Sequence, residues 1–158
     1  MPFPALLSAS LILLSIAGAQ ASEEAGVRAA LNHYLQGHAT GDPAHMRKAF
    51  LPTAHIEGIR DGRFVSWTLD EYCALFNGRP APDEATRRRT IDQIDINGTA
   101  AMARATLVHG PTTFTDYFVL LKVDGEWRIA NKVYTMRSAE RGVRSGVECG
   151  TRNAELEC

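Results

Sequence analysis

The chain predicts an α+β domain: a cone-shaped, strongly curved antiparallel sheet wrapped around N-terminal helices. Three observations predict it. Helical periodicity is confined to the first half, where two helical patterns precede two short strands and a third helical pattern. Asn97-Gly98 then separates two alternating runs. Finally, Asp124-Gly125 divides TDYFVLLKVDGEWRIANKVY, Thr115 to Tyr134, into the arms of a hairpin, with residues that tolerate the positive φ of a tight turn. Helices segregated ahead of four consecutive antiparallel strands bury their apolar stripes against one face of a bent sheet.

The chain has 158 residues. Its first 21 contain no Asp, Glu, Lys or Arg, include the apolar run Leu11 to Leu14, and end Ala19-Gln20-Ala21. This pattern reads as a signal peptide over residues 1–21, cleaved after Ala21, which places the protein in the periplasm or outside the cell. One domain over 22–138 and a polar tail over 139–158 remain. The formal charge of −1 argues against a nucleic-acid partner, and no membrane association is expected after cleavage. In an oxidising compartment Cys149 and Cys158 form a disulfide that closes the tail, while Cys73, within an apolar helical pattern, reads as a buried free thiol.

In order, Ser22 caps a helix over 23–40 that carries Val27, Ala30, Leu31, Tyr34 and His38 on one stripe. Gly41 ends it, and Asp42-Pro43 opens a short helix through Phe50. A strand over 54–59 turns at Asp61-Gly62 into a second strand ending at Trp67. Thr68 and Glu71 form a capping box for a helix with Leu69, Tyr72, Cys73 and Phe76 on one face. Arg87-Arg88-Arg89 begins the next strand as a solvated run rather than an anion site. The hairpin at Asn97-Gly98 aligns Ile94 and Ile96 with Ala101 and Ala103 on the buried side.

The last hairpin holds the candidate site. A two-residue turn pairs Val123 with Glu126. Uninterrupted alternation then puts Phe114, Asp116, Phe118 and Leu120 opposite Trp127, Ile129, Asn131 and Val133 on the inner face. Asp116 and Asn131 are diagonal polar neighbours on that apolar wall. The expected ligand pocket is Tyr34, Trp67, Phe114, Asp116, Phe118 and Asn131, with Asp116 and Tyr34 as candidate catalytic groups. A structural carboxylate bonded to Asn131 or Tyr34 is the equal alternative for Asp116. His55 and Glu57 read as the solvent side of their strand, with Ile56 and Gly58 inside. Tyr117, Val119, Leu121 and Lys132 fall on the outer face, where the exposed apolar area predicts a homodimer. The histidines show no metal spacing, and no cofactor-binding motif is present, so neither metal nor cofactor is expected.

This element order, with Gly41-Asp42 between the first helices and a terminal Asp-Gly hairpin, resembles the nuclear transport factor 2-like superfamily, whose fold is a cystatin-like α+β roll. Asp116, Tyr117, Leu120, Lys122, Gly125, Trp127, Ile129, Lys132 and Tyr134 look like the terminal motif of its SnoaL-like, putative lumazine-binding subgroup. The superfamily hosts isomerases, dehydratases, cyclases and binding modules, so the resemblance implies a fold before a function. Tyr34 is placed similarly to the oxyanion-binding tyrosine of the superfamily's ketosteroid isomerases, but their general-base position falls near Gly58, which has no side chain for proton transfer. The expected function is therefore a non-catalytic, exported domain that binds a small apolar or aromatic molecule. The alternatives are an isomerase or dehydratase-like enzyme using Asp116 as acid/base, and a dimeric interaction module without a ligand.

Overall fold

The computed structural model describes residues 8–139. Helix α1 (Ser8–Thr40) and helix α2 (Pro43–Ala49) precede strands β1 (His55–Arg60) and β2 (Arg63–Thr68). Helix α3 (Leu69–Cys73), a 3-10 turn at Glu84–Thr86, and strands β3 (Arg88–Asn97), β4 (Ala100–His109), β5 (Thr112–Val123) and β6 (Glu126–Ser138) complete the order. The six strands form one curved sheet in the order β2-β1-β6-β5-β4-β3. Neighbours are antiparallel except β1 and β6, which run parallel, so the expected all-antiparallel sheet is in fact mixed. The parallel junction follows from connectivity: four strands and a helix separate β1 from its partner, so no tight turn dictates their direction.

Local chemistry explains most boundaries. Asp42 caps α2 through the Ala44 amide at 2.8 Å, with Pro43 at the first position. Thr68 and Glu71 form the reciprocal capping box of α3. Asp61-Gly62 and Asp124-Gly125 all take positive φ, as two-residue hairpin turns of this hand require. Val123 pairs with Glu126 as the sequence predicts; the preceding hairpin turns at Gly98-Thr99, one residue later than expected, and pairs Asn97 with Ala100, which still sets Ile94 and Ile96 against Ala103 and Ala101.

One expectation at the N-terminus fails. Ser22 does not cap α1, because the Ala- and Leu-rich segment before it continues the helix back to Ser8. Cys149 and Cys158 lie outside the described residues, as do residues 1–7, so the predicted tail disulfide falls outside them too. Cys73 is buried, with Sγ 3.9 Å from the Pro43 carbonyl oxygen. Among the described residues no helix is long and apolar enough to cross a membrane.

The core lies between α1, α2 and α3 and the concave sheet face. Val27, Leu31, Tyr34, Met46, Phe50, Ile56, Leu107, Phe118, Leu120 and Ile129 are its most buried members. Gly26 lets Trp127 lie directly on α1, since a Cβ there would sit 2.6 Å from the indole Cδ1. Glu23 fastens the same contact, accepting from Trp127 Nε1 at 2.8 Å and from Lys122 Nζ at 2.6 Å.

Candidate functional site

The register of the last hairpin changes at one residue, and that change builds the site. Leu120 pairs with Ile129 but Val119 with Asn131, so Ala130 is an extra residue on β6, a β-bulge. A one-residue slip exchanges the two faces of everything beyond it. Asn131 and Val133, expected inside, turn outward, and Lys132 and Tyr134, of which Lys132 was expected outside, turn in. Asn131 accordingly leaves the predicted pocket: its Oδ1 accepts from the His55 amide at 3.0 Å, and its Nδ2 approaches Glu57 at 3.4 Å. There it joins His55, which is exposed, and Glu57, which accepts from Ser66 Oγ at 3.2 Å, on the outward face expected for that pair.

Asp116 therefore finds Lys132 rather than Asn131. Lys132 Nζ lies 3.3 Å from Asp116 Oδ1, and the two side chains are 5% and 1% exposed. The same ammonium donates to the Tyr34 hydroxyl at 2.9 Å, and that hydroxyl donates in turn to Asp116 Oδ2. Three aromatic faces surround the cation, with Nζ 4.9, 5.5 and 5.1 Å from the ring centres of Tyr34, Tyr72 and Tyr134. Burial lowers the Lys132 pKa from its ordinary value, and the facing Asp116 carboxylate opposes that shift. Burial, reinforced by the Asp116 charge, drives the Tyr34 hydroxyl well above the usual phenol range, and burial also raises Tyr72.

These groups form the floor of a cavity of about 220 Å³ between α1, α3 and the concave sheet. Trp67, Leu107, Phe114 and Tyr134 wall it, with the Trp67 and Tyr134 rings nearly parallel at 10°. The exposed Arg60 and Leu75 and the half-buried Arg87 stand at its mouth. Of the predicted pocket, Tyr34, Trp67, Phe114 and Asp116 line this space; Phe118 packs edge-on against Tyr34 beneath it, and Asn131 is absent. Gly58 does face inward, and it makes room for a wall: a Cβ there would stand 2.6 Å from the Tyr134 ring.

Two histidines complete the upper wall. His38 Nε2 meets the Tyr72 hydroxyl at 2.9 Å, and burial holds its pKa well below the ordinary value. His109 is pushed down to about 4 by burial and by Arg87 and Arg89, so it is neutral near pH 7. Its Nε2 is buried with no hydrogen-bond partner among the described residues. The arginine run is not a solvated strand start throughout. Arg88 is exposed, but Arg89 turns inward to grip Glu84 at 2.6 and 2.7 Å and the His38 carbonyl at 3.3 Å, and Arg87 pairs with Asp83 at 2.9 Å. Among the described residues no group of three or more His, Cys, Asp or Glu is placed to hold a metal ion.

Reading by alternation missed Lys132, Tyr72, Tyr134, His38 and His109 as cavity residues. A lysine is ordinarily assigned to solvent, and only the inward Asp116 calls for a cationic partner. Tyr134, spaced two residues from Lys132, carried the same signal: an aromatic on the supposedly outer side of a strand.

The model of the family described as Putative lumazine-binding matches residues 22–135. Among solved structures, an NTF2-like protein of unknown function from Shewanella baltica OS155 is 30% identical with a TM-score of 0.67, over 74% of this chain and 95% of its own. A similar protein from Methylobacillus flagellatus KT is 30% identical with a TM-score of 0.66, over 74% of this chain and 94% of its own. The aldolase FrzH of Cladobotryum sp is 24% identical over 115 residues, covering 72% of this chain and 90% of that protein.

Proposed function

The chain belongs to the Putative lumazine-binding family within the nuclear transport factor 2-like superfamily, and from that premise we propose that its cavity binds a small carbonyl compound and moves protons on it. The carrying observation is the Asp116–Tyr34–Lys132 cluster at the floor of an aromatic-walled cavity. An apolar cavity of about 150 Å³ accepts benzene, so about 220 Å³ suits one ring or a compact pair of rings. Lys132 has a further N–H for a ligand oxygen, Tyr34 can turn its one hydroxyl proton from Asp116 to that oxygen, and Asp116 is the base that removes a proton beside the carbonyl. The orphaned His109 Nε2 supplies a second polar anchor on the wall. Carbonyl chemistry also agrees with the name of the aldolase relative. These features favour the acid/base alternative over a passive binder, although the base sits on β5 rather than at Gly58.

Acetophenone and ethylbenzene, nearly equal in shape, separate the readings. The proposal expects acetophenone to raise the melting temperature of the wild type more than ethylbenzene does, and expects that preference to vanish in Tyr34→Phe. Equal effects of the two compounds on the wild type would reduce the cavity to an apolar void.

Two further elements belong to this proposal. Export with cleavage after Ala21 would leave Glu23 in place for Lys122 and Trp127, and the mass of the mature secreted chain tests it. A second copy is proposed to cover the outer sheet face, where Met102, Tyr117, Val119 and Val133 are about half exposed around a groove of about 310 Å³. A monomeric mass in solution at micromolar concentration would remove the dimer.

A further inference from the structure

We propose that Lys132 is a covalent amine nucleophile that forms an imine with an aldehyde or ketone bound in the cavity; the inference rests on the carbonyl-binding reading above. Three features of the geometry carry it. Lys132 Nζ is presented to an aromatic-walled cavity while its side chain is 5% exposed, so water competes poorly for an adduct formed there. A carboxylate stands 3.3 Å from the ammonium, close enough to take the proton that must leave before nitrogen can attack. A hydroxyl at 2.9 Å, itself bonded to that carboxylate, links the base to the place where the carbonyl oxygen comes to rest. Burial lowers the Lys132 pKa, so the neutral amine is more accessible there than in water.

The step balances within these groups. Asp116 takes one proton from the Lys132 ammonium, leaving a neutral amine and a carboxylic acid. The nitrogen lone pair attacks the carbonyl carbon, a C–N bond forms, and one N–H proton passes to the former carbonyl oxygen to give a carbinolamine. Asp116, through the Tyr34 hydroxyl, returns its proton to that oxygen; the C–O bond breaks and water leaves. The nitrogen lone pair closes the C=N bond, so a protonated imine and the Asp116 carboxylate remain. No oxidant, metal or further reactant is required. Asp116 is then positioned to remove a proton from the carbon beside the imine, the step that would make the bound compound a carbon nucleophile.

The chain contains only three lysines, Lys48, Lys122 and Lys132, which makes the test sharp. The full protein is incubated with benzaldehyde and sodium cyanoborohydride, which reduces the imine to a stable benzylamine and spares the free aldehyde, and the modified lysine is identified by peptide mass mapping. The proposal expects Lys132 to be modified first despite its burial, ahead of Lys48 and Lys122. It expects Tyr34→Phe, which keeps the ring and the fold, to slow trapping at Lys132 by about 100-fold, the low end of a general acid–base contribution. Modification of Lys48 and Lys122 with Lys132 untouched would overturn the imine. If acetophenone still stabilises the wild type in that case, the carbonyl-binding reading survives alone; if it does not, both fall.

Discussion

Two lysine–carboxylate pairs hold the last hairpin, and they differ in kind. Lys122 meets Glu23 near the hairpin tip, with both side chains 29% exposed, and the Glu23 carboxylate also accepts from Trp127. Lys132 meets Asp116 at the cavity floor, almost fully out of water. The first pair clasps α1 to the hairpin tip in a place where solvent screens the charges. The second keeps two charges buried, at a desolvation cost that ion pairing only partly offsets. Packing alone does not account for such a pair at the bottom of a cavity. The same strand chemistry thus serves attachment at one end of the hairpin and forms the floor of a cavity at the other, and the bulge at Ala130 separates them.

The largest expected effect comes from breaking the buried pair on one side only. Asp116→Leu leaves the Lys132 ammonium uncompensated and should cost about 3–5 kcal/mol of stability in denaturant unfolding, whereas the double variant Asp116→Leu/Lys132→Met should return close to the wild type. A double variant as unstable as the single would mean that the cluster is needed for folding and would weaken the functional reading. Gly58→Ala comes next. Its methyl group would enter the space of the Tyr134 ring at 2.6 Å, so a loss of about 1–3 kcal/mol is expected together with weaker acetophenone binding.

Acid should separate the two ends of the hairpin as well. His38 and His109 are held neutral in the folded state, His109 down to about 4, while in the unfolded chain a histidine titrates near 6.5. Below about pH 6.5 the unfolded state takes up these protons and the folded state does not, so stability falls as pH drops towards 4 and is fully present above 6.5. The melting temperature should therefore fall between pH 7 and pH 5, and His109→Gln should flatten the slope. The smaller effects are Asn131→Ala, about 1 kcal/mol for its bond to the His55 amide with no change in acetophenone binding, and Lys122→Ala, whose melting temperature should hardly move.

The fold was legible because its signals are local. Turn residues at Asp61-Gly62 and Asp124-Gly125, the cap at Asp42 and the box at Thr68 each act within four residues, and each sits where the sequence puts it. Half of the site was legible for the same reason: Asp116 and Tyr34 are conspicuous polar groups on apolar faces. The other half depends on a bulge, which shifts register without a Gly or Pro to announce it, and Ala130-Asn131 reads as ordinary strand. From alternation alone, Lys132 belongs to solvent. Its true place depends on β1, which pairs Ile56 with Lys132 and Gly58 with Tyr134, a long-range parallel contact that no local pattern encodes.

The most direct test of the central claim is a crystal structure of the protein with acetophenone. The account predicts the ring in the inner cavity against Phe114 and Tyr134, with its carbonyl oxygen within hydrogen-bonding distance of Tyr34 Oη and Lys132 Nζ. Acetophenone seated only in the outer groove beside Met102 and Tyr117, with the inner cavity closed around Lys132, would contradict it.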